Sequence, residues 1–194
     1  AYMFCSGSYF LAMLLSVVSA HLIQRKKWPA IALGGVTVAL SMGIYQSYFP
    51  LTAALLVFSM FIDVIDSRFS SFKEFITVGL KYIAGLAFGM ILYFVILRIC
   101  LKINNVELID YQGISSMGIV TFNQLIDRIS AAYKNFFYFY RSAVFHSFFK
   151  YIAAAAFIFS AAAALAIILQ RRLYKSFSAI IEMIILVALI PLAC

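Results

Sequence analysis

Residues 41–52 read Ser41-Met-Gly-Ile-Tyr-Gln-Ser-Tyr-Phe-Pro-Leu-Thr52, a polar interruption with a proline in the apolar sequence between Trp28 and Ile65. A turn at this point makes 29–45 and 50–65 two short helical arms. Pro50 suits the first turn of a helix, where its missing N–H is no loss, and Gly43 can ease the end of the helix before it. At about 1.5 Å per residue, neither arm greatly exceeds a bilayer core of about 30 Å. The turn therefore cannot project far into water. Polar backbone at that depth is tolerated only where protein or a wet cavity covers it. Two roles fit: Tyr45, Gln46 and Tyr48 line the lip of an outward-facing cavity, or the turn is a tight hairpin with aromatic anchors at the interface.

Composition puts these arms in a membrane. The chain is 65% hydrophobic and 11% charged, whereas a soluble domain carries about 25% charged residues. In such a chain the net charge of +8 marks cytoplasmic loops and contacts with phosphate or lipid headgroups, not nucleic acid. Cys5, Cys100 and Cys194 are widely spaced in or beside apolar runs and read as packing residues, without the spacing of a metal site. The chain starts and stops inside apolar runs, so it reads as an internal piece of a longer polytopic protein.

Further apolar segments at 2–23, 75–99, 148–169 and 177–192 bring the total to about six spans, since a crossing takes roughly 20 residues. The fold class is all-α, a polytopic transmembrane helix bundle forming a single domain over 1–194. The basic links at 25–27, 66–74 and 170–175 fall on one side if every span crosses once, and the positive-inside rule makes that side cytoplasmic. The turn at 45–49 and the segment 100–147 then share the outer face.

Within the outer segment, Ile119, Phe122, Ile126, Ile129, Tyr133, Phe136 or Phe137, and Tyr140 recur at steps of three and four, with polar residues between them. This is one face of a helix, and Thr121-Phe-Asn-Gln124 reads as its capping box. Such an amphipathic helix lies along the bilayer surface or roofs the bundle. The stretch before it, from Asn104, is polar and contains Gly113, and reads as loop. Gly85-Leu-Ala-Phe-Gly89 has the small-xxx-small spacing of closely packed helices, and the alanine-rich runs 153–156 and 160–164 suggest the same of the fifth span.

Soluble catalytic signatures are absent: there is no P-loop, dinucleotide fingerprint, HExxH or GxSxG. An acid inside a membrane segment is a functional candidate by default. Asp63 and Asp66 stand near the cytoplasmic end of their span, where ordinary solvation accounts for Asp63. Glu182 is deeper and calls for a partner, either an arginine of the preceding link or residues of the longer protein. On the outer side Lys134, Arg141, His146 and Lys150 are interleaved with aromatic residues. Lys150 fits a belt in which cations reach headgroups. The Arg141 guanidinium can bind a phosphate through two hydrogen bonds. His146 can shuttle a proton, or serve structurally among its phenylalanines.

Several runs carry a resemblance. They are Ala1-Tyr-Met-Phe-Cys-Ser-Gly-Ser-Tyr-Phe-Leu-Ala12, then Ser41-Met-Gly-Ile-Tyr-Gln-Ser-Tyr48, then Ile126-Asp-Arg-Ile-Ser-Ala-Ala-Tyr-Lys-Asn-Phe136, and finally Ile190-Pro-Leu-Ala193. Together they resemble the bacterial serotype-converting glucosyltransferases of the Gtr type, in the same order over most of the chain. The resemblance implies a multispan glycosyltransferase of GT-C-like architecture. Its donor would be a polyprenyl-phosphate sugar, typically glucose. Its acceptor would be a surface polysaccharide such as O-antigen, at the outer face of the bacterial cytoplasmic (inner) membrane. In that class the catalytic acid usually lies in the first outer loop. No acidic loop precedes the first span here, which leaves Asp110 and Glu107 as weak candidates.

The residues by themselves suit such a transfer. It requires an acid or base at the acceptor hydroxyl, cations for the leaving phosphate and a groove open to lipid. Lys134 and Arg141 supply cations, while Tyr45, Gln46 and Tyr48 can hydrogen-bond or stack on sugar. No cofactor is evident, and the place of a divalent metal stays open. Two other readings remain: a transporter or flippase for a lipid-linked or polar solute, whose usual pointer is paired short, Gly- or Pro-interrupted spans, and a non-catalytic membrane scaffold.

Overall fold

The computed structural model describes residues 6–106, 122–139, 147–171, 173 and 176–193. The elements are α1 (Ser6–Gln24), α2 (Trp28–Ile44), a 3-10 turn (Gln46–Tyr48), α3 (Phe49–Ile65), α4 (Phe72–Asn104), α5 (Phe122–Phe139), α6 (Ser147–Gln170) and α7 (Phe177–Ala193). Among the described residues there is no strand, and the chain is an all-α bundle. By length and composition α1, the segment Gln46–Ile65 and α4 suffice to cross a membrane, and α2, Ala154–Gln170 and α7 are shorter apolar helices.

The chain does turn at 45–48. Tyr45 is extended, with φ −157° and ψ 109°, and the 3-10 turn runs straight into α3, which holds Pro50 in its first turn. Gly43 has no part in ending α2. It stays within the helix, which stops because Tyr45 swings to extended backbone while its N–H still donates to the Ser41 carbonyl at 2.9 Å. No left-handed residue is needed, so glycine's freedom is not used.

The centre of the bundle is built from α1, α2 and α4, and glycine sets its spacing. A Cβ placed on Gly89 would stand 2.7 Å from the Gly35 carbonyl and 2.6 Å from Val38 Cβ, while one on Gly35 would lie 3.1 Å from the Gly85 carbonyl. The Gly85/Gly89 pair of α4 thus lets its backbone touch that of α2, the close approach its spacing suggested. On the other face of α2, the Ser19 hydroxyl donates to the Gly34 carbonyl at 2.8 Å.

A buried hydroxyl cluster ties α1, α2 and α3 together toward the turn. Ser16 and Ser41 lie 2.8 Å apart, Ser41 donates to the Ala12 carbonyl at 2.8 Å, and Thr52 donates to the Ser16 carbonyl at 3.3 Å. All three residues are buried. Ser16 has one proton and further acceptors in the Ala12 and Tyr48 carbonyls, at 3.1 and 3.2 Å, so it chooses among them. Interhelical hydroxyl bonds in membrane proteins contribute about 0.6–1.7 kcal/mol. Ser16→Ala is expected to lower stability by about that amount, measured as a shift in a denaturing-detergent titration of the folded protein.

α4 is longer than its apolar stretch at 75–99. The Ser71 side chain accepts from the Glu74 N–H at 3.3 Å, Glu74 accepts from the Ser70 N–H at 2.8 Å, and Asn105 in the left-handed region (φ 53°) ends the helix. Residues 72–74 and 100–104, read as link and outer segment, therefore belong to α4. The cap satisfies first-turn N–H groups that hydropathy does not register. At about 1.5 Å per residue α4 is about 50 Å long, well beyond a core of about 30 Å.

α3 and α7 pack antiparallel: Leu51 and Ala54 near the start of α3 share a groove with Ile190 and Ala193 at the end of α7. Pro191 lies inside α7, so the Val187 carbonyl loses its helical donor. One residue on, the Ala188 carbonyl accepts from the Tyr133 hydroxyl, which seats α5 on α7. Of the 100–147 segment, 107–121 lie outside the described residues, and with them the cap expected at Thr121 and most of the loop expected after Asn104.

α6 differs from expectation. Residues 154–156 and 160–164 of its small-residue runs are exposed. Small side chains permit a close neighbour without supplying one, and α6 makes no extensive packing contact with another described helix.

Candidate functional site

The end of the bundle bearing the 45–48 turn gathers many of the polar and aromatic residues singled out by sequence. Tyr45 is 43% exposed, and Gln46 and Tyr48 are half-buried. The Tyr9 ring of α1 lies 4.9 Å from that of Tyr45, which is 5.6 Å from that of Tyr48. These tilted and edge-on contacts, favoured by aromatic quadrupoles, form a ledge over α1, the end of α2 and the turn.

The turn is pinned from inside. The Gln46 carboxamide nitrogen donates to the Tyr93 hydroxyl of α4; Tyr93 is buried, with its ring 5.3 Å from Phe94. The Tyr48 carbonyl is one of the acceptors open to Ser16. Protein therefore covers the inner side of the turn, while the Tyr45 side is open.

α5 reaches the same end of the bundle. The turn leads into the start of α3, beside the end of α7, and α5 meets α7 at Ala188. Lys134 is exposed and, with Tyr133, Asn135, Phe137 and Tyr138, lines a shallow depression of about 570 Å³. Arg141, His146, Asp110 and Glu107 lie outside the described residues.

The opposite end holds a second polar cluster. Asp63 is 5% exposed, not solvated as its place near a helix end suggested. Lys26 approaches one carboxylate oxygen at 2.8 Å and Arg68 the other at 3.2 Å, while Arg68 also holds Asp66 at 2.9 Å. Two non-glycine residues in the links adopt the left-handed region, Lys26 itself (φ 60°) and Ser67 next to Arg68 (φ 53°). Both conformations are unfavourable for ordinary side chains, and both bring a cation over the same carboxylate. The α1–α2 link thus folds across Asp63 and removes it from water.

Of the arginines of the preceding link considered as partners for Glu182, Arg172 lies outside the described residues. Glu182 is 4% exposed and accepts from Ser178 Oγ, one helical turn earlier, at 2.7 Å. Among the described residues no cation comes within ion-pair distance of it.

Sequence reasoning missed Tyr9, Tyr93 and Lys26. Tyr93 had a usable signal, since a tyrosine deep in an apolar helix needs a partner for its hydroxyl. Lys26 was visible only as one member of a basic link. No cluster of three potential metal ligands occurs among the described residues. Cys100 is an exposed free thiol, and Cys5 and Cys194 lie outside the described residues.

No curated protein and no solved structure matches the chain. The defining pattern of one family does match, without a gap in coverage from residue 1 to residue 194. By that match the chain belongs to the family described as glucosyl transferase GtrII and, with its apolar helices, is a membrane glycosyltransferase.

Proposed function

We propose that the enzyme transfers a sugar, glucose by the family's description, from a polyprenyl-phosphate donor to a cell-surface polysaccharide at the outer face of the bacterial cytoplasmic membrane. The chain is then one transmembrane domain with spans at about 2–23, 29–45, 50–65, 75–99, 148–169 and 177–192. The Lys26–Asp63–Arg68 end faces the cytoplasm by the positive-inside rule, the ledge faces outward, and α5 lies at the interface beside it.

In this reading Tyr45 and Tyr48 offer faces and hydroxyls to the sugar, and Gln46 fixes the turn that presents them. Lys134 and Arg141 stabilise the phosphate as the glycosidic bond breaks and negative charge builds on the leaving oxygen. His146 is close enough in sequence to Arg141 to serve the same segment. The acid or base at the acceptor hydroxyl is left unassigned between Glu107, Asp110 and groups outside this chain.

The observation that supports the reading most directly is the shared placement of the Tyr9–Tyr45–Tyr48 ledge and Lys134-bearing α5, in a chain of this family. Transfer from polyprenyl-phosphate glucose in membranes holding the full-length protein tests it. Arg141→Ala and Gln46→Ala are each expected to lower kcat/KM about tenfold to a hundredfold, the scale of one hydrogen bond to a charged or ordered group. Tyr93→Phe, which removes only the partner of the Gln46 amide, should give a smaller loss. Unchanged transfer in both alanine variants would rule the assignment out.

A further inference from the structure

The groove between α3 and α7 is lined only by apolar side chains, among them Leu51, Ala54, Phe58, Phe61, Ile190 and Ala193, and encloses about 320 Å³. Its depth comes from small residues, Ala54 and Ala193, set beside bulky walls such as Phe58, which is 63% exposed. From Leu51 to Phe61 it follows α3 for about 15 Å at 1.5 Å per residue. That is half of a bilayer core of about 30 Å, the depth of a single leaflet.

The position of the mouth is informative. Leu51 is three residues past Tyr48, so the groove opens directly beneath the aromatic turn. On its other side, α7 carries α5 through the Tyr133–Ala188 bond, which brings Lys134 to the same end. The result is an apolar groove along α3, walled by Ile190 and Ala193 of α7, that starts three residues past the aromatic turn, with α5 and its Lys134 seated on the same end of α7.

We infer that this groove seats the first isoprene units of the donor's polyprenyl chain, with the phosphate at the mouth within the field of Lys134. The inference rests on the donor proposed above and adds where its lipid lies. No bond is made or broken in the groove. It contributes apolar burial, which lowers KM for a long-chain donor, and it fixes the depth at which the phosphate meets the ledge.

The test uses the full-length protein in its membrane, with a polyprenyl phosphate carrying a diazirine in its proximal isoprene units. Labelling is expected in the peptides spanning 51–61 and 188–193, competed by polyprenyl phosphate and not by phosphatidylglycerol. Equal competition by phosphatidylglycerol would make the groove an ordinary acyl-chain contact and overturn the inference, as would labelling confined to other helices.

Kinetics give a second arm. Ala54→Trp and, independently, Ala193→Trp fill the groove. Each is expected to raise KM for a long-chain polyprenyl-phosphate glucose about tenfold and to leave KM for a donor cut to two isoprene units unchanged. Phe10→Trp, on the exposed face of α1, should change neither. An equal rise for both donors would mean that the substitutions disturb the protein and not a chain-binding site. Should the labelling pattern appear while no polyprenyl-phosphate sugar supports transfer, the groove stands and the proposed reaction falls.

Discussion

Gly89→Leu is expected to disassemble the centre of the bundle. The first added carbon would meet the Gly35 carbonyl at 2.7 Å and Val38 Cβ at 2.6 Å, and neither is the end of a flexible side chain. α2 and α4 must separate, which opens a contact that also involves Ile23 and Ile31 beside Gly85. Overpacking of a tight core costs about 1–3 kcal/mol, and a backbone contact belongs at the upper end of that range. Against a total stability of about 5–15 kcal/mol, such a loss should show as a sharp fall in the folded fraction in detergent.

Two glycines of the same chain serve as controls. At Gly79 a Cβ would meet only the flexible end of Met60, at 3.5 Å, and at Gly43 it would meet nothing within 4 Å. Gly43→Ala should be neutral or stabilising, by up to about 1 kcal/mol from helix propensity. If Gly89→Leu melted with the wild type, the α2–α4 contact would not be the seam that holds the bundle.

Lys26→Met is the second substitution expected to have a large effect. It leaves the Asp63 carboxylate, whose side chain is 7% exposed, with only Arg68 at 3.2 Å. A buried charge that loses a partner costs about 1–3 kcal/mol or more. The reverse change, Asp63→Asn, should cost less. Lys26 and Arg68 retain side-chain exposures of 35% and 60% and can return to water. Replacing both members, Lys26→Met with Asp63→Asn, should recover much of the loss, because no uncompensated buried charge remains. The measurement is a double-mutant cycle on unfolding, with an expected coupling of about 0.5–3 kcal/mol. Additive single effects would show that the pair is a surface contact of little consequence.

Lys26→Met lies at the end of the bundle away from the ledge, so it should change the amount of folded enzyme more than the KM of what remains. That separates it from Gln46→Ala and Ala54→Trp, which act at the opposite end.

Much of the architecture was legible in one dimension. Hydropathy marks apolar helices because each residue's cost in lipid is a local property. The turn at 45–48 announced itself through Gln46, Ser47 and Pro50, and the close packing of Gly85 and Gly89 through their spacing. Other features were hidden. Asp63 looked solvated because its distance from a helix end was the only available measure of depth, whereas a link 37 positions away in the chain folds over it. Gln46 looked free to meet substrate, yet its amide reaches Tyr93, 47 positions on. The alanine-rich runs of α6 promised a neighbour that spacing alone cannot supply.

The sequence by itself determined that this is a membrane-embedded helical chain, where it turns, and which of its links are basic, because composition, period and charge act over a few neighbouring residues. Tertiary structure alone decided that α2 and α4 touch backbone to backbone, that Asp63 is buried under two cations, and that an apolar groove opens beneath the aromatic turn. Each of these depends on which helix face meets which, and that is settled by packing between residues tens of positions apart, not by any property of a single segment.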